Sequence, residues 1–200
     1  DEDDGIIEDG INRSFGLQYS HVYAPRKYRQ SVSSVDQDGN ILYGNKDLYK
    51  EQGQEQVRDE HSPIMGWAYD GHPIYGPYGY ISKEGGLIER MRSGYIEEAS
   101  KKTNRPSLIE FPAGFFVEDY TYKPLTQDTV LDKNNGRFCV TPEFPNGTYA
   151  YFATIDNIIS QEAPFSGYFE PVFPYFIGDS FYAKPNEFNL HRTSNQDEFD

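Results

Sequence analysis

The residues with the most chemistry in them crowd into one stretch, HSPIMGWAYDGHPIYGPYGY, which runs from His61 to Tyr80. It holds two of the four His, the single Trp and four Tyr. His61, Asp70 and His72 supply two imidazoles and a carboxylate, donor types that can hold a transition metal when three or four of them converge. With only four His and one Cys in the chain, and with His21 and His191 far off in sequence, the preferred reading of His61 and Asp70 is a hydrogen-bonded pair that fixes the local fold. A metal site on His61, Asp70 and His72 is the alternative. Trp67, Tyr75 and Tyr78, joined by Tyr149 and Tyr151 further along, bring flat faces with polar tips, which suit a half-buried sheet or the stacking of sugar rings.

Other chemistries have little to stand on. No Gly-x-Ser-x-Gly elbow occurs, and order along the chain sets no Cys beside a His. The phosphate-cradling patterns GxGxxG and GxxxxGK[ST] are absent. Thirty-two acids could include a glycosidase pair, but abundance alone does not identify one. Asp36, Asp38 and Asn40 have the oxygen spacing of a calcium loop without its closing Glu, and Asp132, Asn134 and Gly136 repeat the pattern without its terminal acid. Both read as turns. No cofactor is expected, with a structural calcium or a transition metal as the exceptions the acids and His61, Asp70 and His72 leave open. These absences favour a non-enzymatic domain.

The elements that must position these residues are strands. Asp70-Gly71 between Ile64–Tyr69 and Pro73–Tyr78 signals a hairpin with a type I′ turn, and Trp67, Tyr69, Ile74 and Tyr75 compete for its core places. Pro145-Asn146-Gly147-Thr148 is a tight turn into Tyr149–Ile155, a strand with rings on both faces, so it should be central and buried on both sides with the hairpin packed against it. Phe115–Tyr122 alternates like a strand, and Phe15–Tyr28 reads as a strand interrupted at Pro25. In Leu87–Glu97, Leu87, Met91 and Tyr95 fit helical spacing while Ile88, Arg90 and Arg92 fit neither period, which leaves the stretch ambiguous. Asn45–Asp59 is the best helix candidate, though polar nearly all round and weakened by Gly53. Ser100–Pro106 reads as an exposed basic loop, and Cys139 as a buried small residue that no disulfide can use within the chain.

Two hundred residues with no break in composition suggest one domain, with an acidic tail or linker over 1–12, the β domain over 13–182 and a linker over 183–200. Six acids among the first ten residues make Asp1–Gly10 a solvated tail. The start without Met and the end in TSNQDEFD read as a segment of a longer protein. Aromatics at 16% favour strands, and the fold class expected is mainly β, an irregular β-sandwich-like domain with long loops and at most one or two short helices. A net charge of −14 opposes nucleic acid and anionic membranes as partners, and no apolar run is long enough to span a bilayer.

The central stretch resembles the signature of the YHYH domain family, in which His-x-Pro-Ile leads into Gly-[Trp/Tyr]-Ala-x-Asp-Gly-x-Pro-Ile-Tyr-Gly-Pro-Tyr-Gly. The family's Tyr-His-Tyr-His segment matches Tyr149-Ala150-Tyr151-Phe152, where both histidines are replaced. Phe169–Asp179, FEPVFPYFIGD, resembles its closing Phe-Pro-Tyr-Ile-Gly strand. Two His at i and i+2 share one side of a strand and can hold a metal, which Ala and Phe cannot do. The tyrosines and the turn imply that the fold is kept.

The His-free YAYF version and the last twenty residues are similar to virion structural proteins of T4-like marine phages, the cyanophages. What this resemblance implies is a non-catalytic structural or attachment domain of a tail, baseplate or fibre protein, located in the virion and contacting other virion proteins, oligomeric in the full-length protein. Its aromatic surface, with His61, Trp67, Asp70, His72, Tyr75, Tyr78, Tyr149 and Tyr151 as binding candidates, could contact host-surface glycans. The alternative function is a metal-binding or metal-dependent hydrolytic domain centred on the His61-Asp70-His72 hairpin.

Overall fold

Gly and Pro interrupt the aromatic runs of this chain every few residues, so each run yields a strand of three to six residues and no more. The structure, a computed structural model, describes residues 5–9, 17–21, 60–157 and 169–185. In chain order, β1 (Gly5–Asp9) pairs antiparallel with β2 (Leu17–His21). β3 (Ile64–Trp67) and β4 (Pro73–Tyr75) form one hairpin, and β5 (Tyr78–Ser82) and β6 (Gly85–Arg90) the next. β7 (Tyr95–Glu97) pairs with β8 (Tyr120–Tyr122). β9 (Gly136–Cys139) and β10 (Thr148–Phe152) make a third hairpin, and β11 (Ile155–Asn157) pairs with β12 (Phe169–Pro171). Among the described residues the fold is mainly β, built of several small sheets with no closed barrel. Among the described residues the helical segments are two three-residue 3-10 turns, Ala99–Lys101 and Val117–Asp119.

The sheet that matters for function has the order β3-β4-β10-β9. β10 lies inside it, parallel to β4 and antiparallel to β9, with Tyr151 opposite Ile74 on one side and Gly136 on the other. The period of two sends its residues to opposite faces. Ala150 and Phe152 join Tyr75, Met91, Leu131 and Cys139 in one core, and Tyr149 and Tyr151 join Ala68, Ile74, Ile177 and Phe181 in another. Phe152 is completely buried, which contributes on the order of 2–3 kcal/mol. The rings at successive positions of Tyr149–Phe152 are thus core on both sides, as expected, and Cys139 is a buried free thiol.

Several expectations change. The hairpin between β3 and β4 exists, but its turn is not type I′. The Ala68 N–H donates to His72 O and the Gly71 N–H to Ala68 O, and only Gly71 has positive φ, +84°. That is a three-residue loop, Tyr69-Asp70-Gly71, in which the glycine forms a bulge. Trp67 and Tyr69 are exposed rather than core, because the short β4 leaves the core places to Tyr75 and, in part, to Ile74. Phe115–Asp119 is not a strand, and only Tyr120–Tyr122 extends. Asp119 collects the Gly114 and Phe116 N–H groups on one carboxylate oxygen, which folds that segment into a turn. Leu87–Glu97 resolves into the end of β6 and β7, with Met91 buried between them.

The Ser100–Pro106 loop is polar and largely exposed, yet Arg105 is buried in an ion pair with Asp119, 2.6 Å and 2.8 Å through two nitrogens. Asp132 opens a turn as expected, its Oδ1 accepting from the Asn134 and Gly136 N–H groups. The segment after Phe169 pairs only through Pro171 and then turns. Gly5–Asp9, within the stretch read as an acidic tail, is a strand. The proposed Asn45–Asp59 helix and the Asp36–Asn40 loop lie outside the described residues, as does His191.

Candidate functional site

The sheet distributes the candidate residues over two faces. On the face of Ala150 and Phe152, His61 is buried with its ring 4.8 Å from Tyr75, 5.1 Å from Tyr80 and 5.9 Å from Phe152. Its Nδ1 donates to the Ser62 carbonyl at 2.8 Å, which leaves Nε2 as the bare acceptor, buried against rings. Burial drives its pKa down to about 4, against the opposing pull of the Ser62 bond, and the charge of Arg137 adds to the depression. The imidazole is therefore neutral at pH 7.

Tyr75 stacks on Phe152 at 5.6 Å, and its hydroxyl donates to Glu143 Oε2 at 2.8 Å while lying at the same distance from the Thr141 hydroxyl. Burial pushes that phenol up. Tyr78 is buried as well, and its backbone N–H donates to Ser62 Oγ at 3.0 Å.

The other face belongs to Asp70, His72, Tyr149 and Tyr151. Asp70 accepts from the Tyr151 hydroxyl at 2.6 Å, from the His72 N–H at 3.3 Å and from the Ala183 N–H at 3.1 Å. The Tyr149 hydroxyl reaches both oxygens of Asp132, at 2.8 Å and 2.9 Å. Burial first, and these carboxylates second, hold both phenols above the ordinary tyrosine range. Tyr182 stacks on Tyr149 with centroids 3.8 Å apart, and the His72 ring stands edge-on to both at 5.5 Å. Each tyrosine of the Tyr149-Ala150-Tyr151-Phe152 segment thus ties one loop carboxylate to the middle strand.

His61 and His72 lie on opposite faces of the sheet, and His61 shares no hydrogen bond with Asp70. The expected His61–Asp70 pair is replaced by two separate arrangements, because the bulged turn aims the Asp70 carboxylate at Tyr151. Ala150 and Phe152 offer no ligand atom beside His61, so the residues on that face do not fit a metal centre. Among the described residues no three His, Cys, Asp or Glu side chains converge.

Of the candidates, Tyr75, Tyr78, Tyr149 and Tyr151 are buried, and Trp67 is the one with a ring in solvent, 58% exposed. Tyr69 beside it is equally exposed. Each is braced by a second ring, Trp67 edge-on to Phe144 at 6.3 Å and Tyr69 edge-on to Phe181 at 6.2 Å. Sequence reasoning missed Asp132 as the partner of Tyr149, Tyr182 as its stacking neighbour, and the bracing pair Phe144 and Phe181. A turn signal marked Asp132 but not where its carboxylate would point. The other three carry no local signal, since their contacts span loops distant in sequence.

The pattern of one family, described as YHYH protein, matches residues 14–163. No curated protein and no solved structure matches the chain.

Proposed function

The chain belongs to the YHYH protein family, whose pattern covers 150 of its 200 residues, and from that premise we propose that it is a non-catalytic attachment domain that holds surface glycans on the rings of its β3–β4 hairpin end. The observation that carries this reading is the pair Trp67 and Tyr69, each 58% exposed and each fixed edge-on by a second ring. Flat rings whose orientation is set before binding stack on the apolar face of a sugar at low ordering cost. Asp70, next to Tyr69, is committed to Tyr151, so the loop that carries the rings is itself held.

The setting we propose is the tail, baseplate or fibre of a T4-like phage of marine bacteria. The likeness of YAYF and of the C-terminal residues to such virion proteins supports it, and other virion proteins would then be its lasting partners, in an oligomer of the full-length chain. The charge of −14 suits a protein with no nucleic-acid partner. No helix among the described residues is long and apolar enough to cross a membrane.

Trp67 is the chain's single Trp, so its fluorescence reports directly on this surface. The test is an array of bacterial surface polysaccharides, followed by titration of Trp67 emission with whatever is retained. Binding should perturb the emission, and Tyr69→Ala, followed by the same emission, and Trp67→Ala, followed by calorimetry, should each weaken binding about tenfold. An array with no retained glycan, or variants that bind as the wild type does, would overturn the reading.

A further inference from the structure

The edge of the sheet opposite the hairpin holds a second feature, independent of Trp67 and Tyr69. A cleft of about 780 Å³ runs along the outer side of β9, walled by the loop through Gln127 and Asp128 and by Lys83, with Tyr122 and Asn146 at its sides. Its size is that of a small-molecule site. The outward main-chain groups of β9 are mostly used. Gly136 O accepts from the Asp132 N–H at 3.0 Å, and the Val140 N–H donates to Lys83 O at 2.8 Å. Strand alternation sends the Phe138 N–H and C=O the same way, halfway between those two bonds and away from β10. Among the described residues no group bonds them from that side.

The Phe138 side chain is placed as deliberately as its main chain. Its ring is 58% exposed. It rests on Gly147, where a Cβ would come within 2.8 Å of the ring and where φ is +90°. One side of the ring is therefore fixed by backbone, and the rest faces solvent. The charges nearby do not favour one sign: Lys83 Nζ lies 3.7 Å from Asp128 Oδ1, and both terminal nitrogens of Arg137 donate to main-chain carbonyls, those of Tyr80, Ile81 and Asp128. Glu84 and Asp132, also in the walls, each take a hydroxyl, from Ser82 and Tyr149, so the cleft carries both signs and its apolar ring and main-chain groups set the occupant.

We propose that this cleft is a carbohydrate seat for a neutral hexose oligosaccharide. Hydroxyls on adjacent carbons accept from the Phe138 N–H with one oxygen and donate to its C=O with the other, while a neighbouring sugar lies on the Phe138 ring. An added peptide strand is the poorer occupant, because the bonds at Gly136 and Val140 leave a single residue of edge to pair with. The proposal goes beyond the hairpin reading, and the two fail separately because Trp67 and Phe138 sit on opposite edge strands.

The experiment is saturation-transfer and ¹⁵N NMR on the whole chain with cellotetraose, maltotetraose and mannotetraose at about millimolar concentration. At least one should bind and shift the Phe138 amide resonance. Phe138→Ala should weaken that binding about tenfold and Phe138→Leu, which keeps the apolar bulk without the flat ring, by a similar factor, while Trp67→Ala changes it by less than about twofold. Far-UV circular dichroism and melting temperature of Phe138→Leu check that the fold is kept. No saturation transfer from any of the three sugars, or binding lost in Trp67→Ala and kept in both Phe138 variants, would overturn the cleft, and the second outcome would leave the hairpin reading standing.

Discussion

The Tyr151 hydroxyl lies 2.6 Å from Asp70 Oδ2 and also accepts the Tyr182 N–H at 2.7 Å, so one phenol on the middle strand holds both the hairpin loop and the C-terminal segment. A hydrogen bond to a charged group of this kind contributes about 1–3 kcal/mol. Tyr151→Phe should lower unfolding free energy by that amount in urea titrations. In an Asp70→Ala background the same substitution should cost clearly less, since the shared bond is already gone. Equal costs in both backgrounds would show that the bond contributes nothing.

His61 sets a pH dependence of definite sign. Its folded pKa, about 4, lies below the ordinary 6.5, so between these values the unfolded chain takes up a proton that the folded chain refuses. Stability from this group is complete above pH 6.5, falls as pH drops from 6.5 to 4, and levels off below that. The loss is on the order of 3 kcal/mol. His61→Gln keeps a donor for the Ser62 carbonyl without the titration. Urea titrations at pH 7 and pH 4.5 should show a smaller drop in the variant than in the wild type, and parallel drops would contradict the buried neutral imidazole.

Gly71 tests the corrected turn. With φ at +84° and no atom within 4 Å of a Cβ built there, a side chain at this position meets open space but an unfavourable backbone. Gly71→Val should therefore destabilise by about 1–3 kcal/mol through conformation alone. An unchanged melting temperature in Gly71→Val would refute the bulged loop.

Arg105 and Asp119 hold the loop that carries Phe111, Phe115 and Phe116. The guanidinium beside Asp119 is the main reason its carboxyl is held down at about 2, helped by the Phe116 and Gly114 N–H groups, although burial opposes it. The folded pKa lies below the ordinary 3.8, so this contribution is present above pH 3.8 and disappears as pH falls through 2. Asp119→Asn at pH 7 should loosen the backbone of this segment, with chymotrypsin cleavage after Phe111, Phe115 or Phe116 several-fold faster than in the wild type. Cleavage at the wild-type rate would mean that the loop is held by its ring contacts, Phe111 to Phe115 at 5.2 Å and Phe115 to Phe116 at 5.0 Å.

How far the residues alone could lead is clearest at three positions. Tyr149–Phe152 announces a strand buried on both faces, because a period of two must carry its rings to both sides, and the strand is found inside its sheet. Asp70-Gly71 announces a hairpin, because a glycine that tolerates positive φ is a local property. Phe115–Tyr122 misleads, because its alternation is local while the Asp119 carboxylate that bends it is stabilised by Arg105, fourteen residues away.

The site divides in the same manner. Aromatic content, short turn-bounded runs and a signature stretch are written in neighbouring residues, and they determine a mainly β chain of this family. Which rings reach solvent is not local. Tyr75, Tyr149 and Tyr151 are as aromatic as Trp67 and Tyr69, and only the pairing order β3-β4-β10-β9 sends the first three inside and leaves the last two out. The same order parts His61, against Tyr75, from His72, against Tyr149, and turns Phe138 toward an open cleft. Burial is a property of what packs from elsewhere, so the tertiary fold alone decided which of these side chains can meet a ligand.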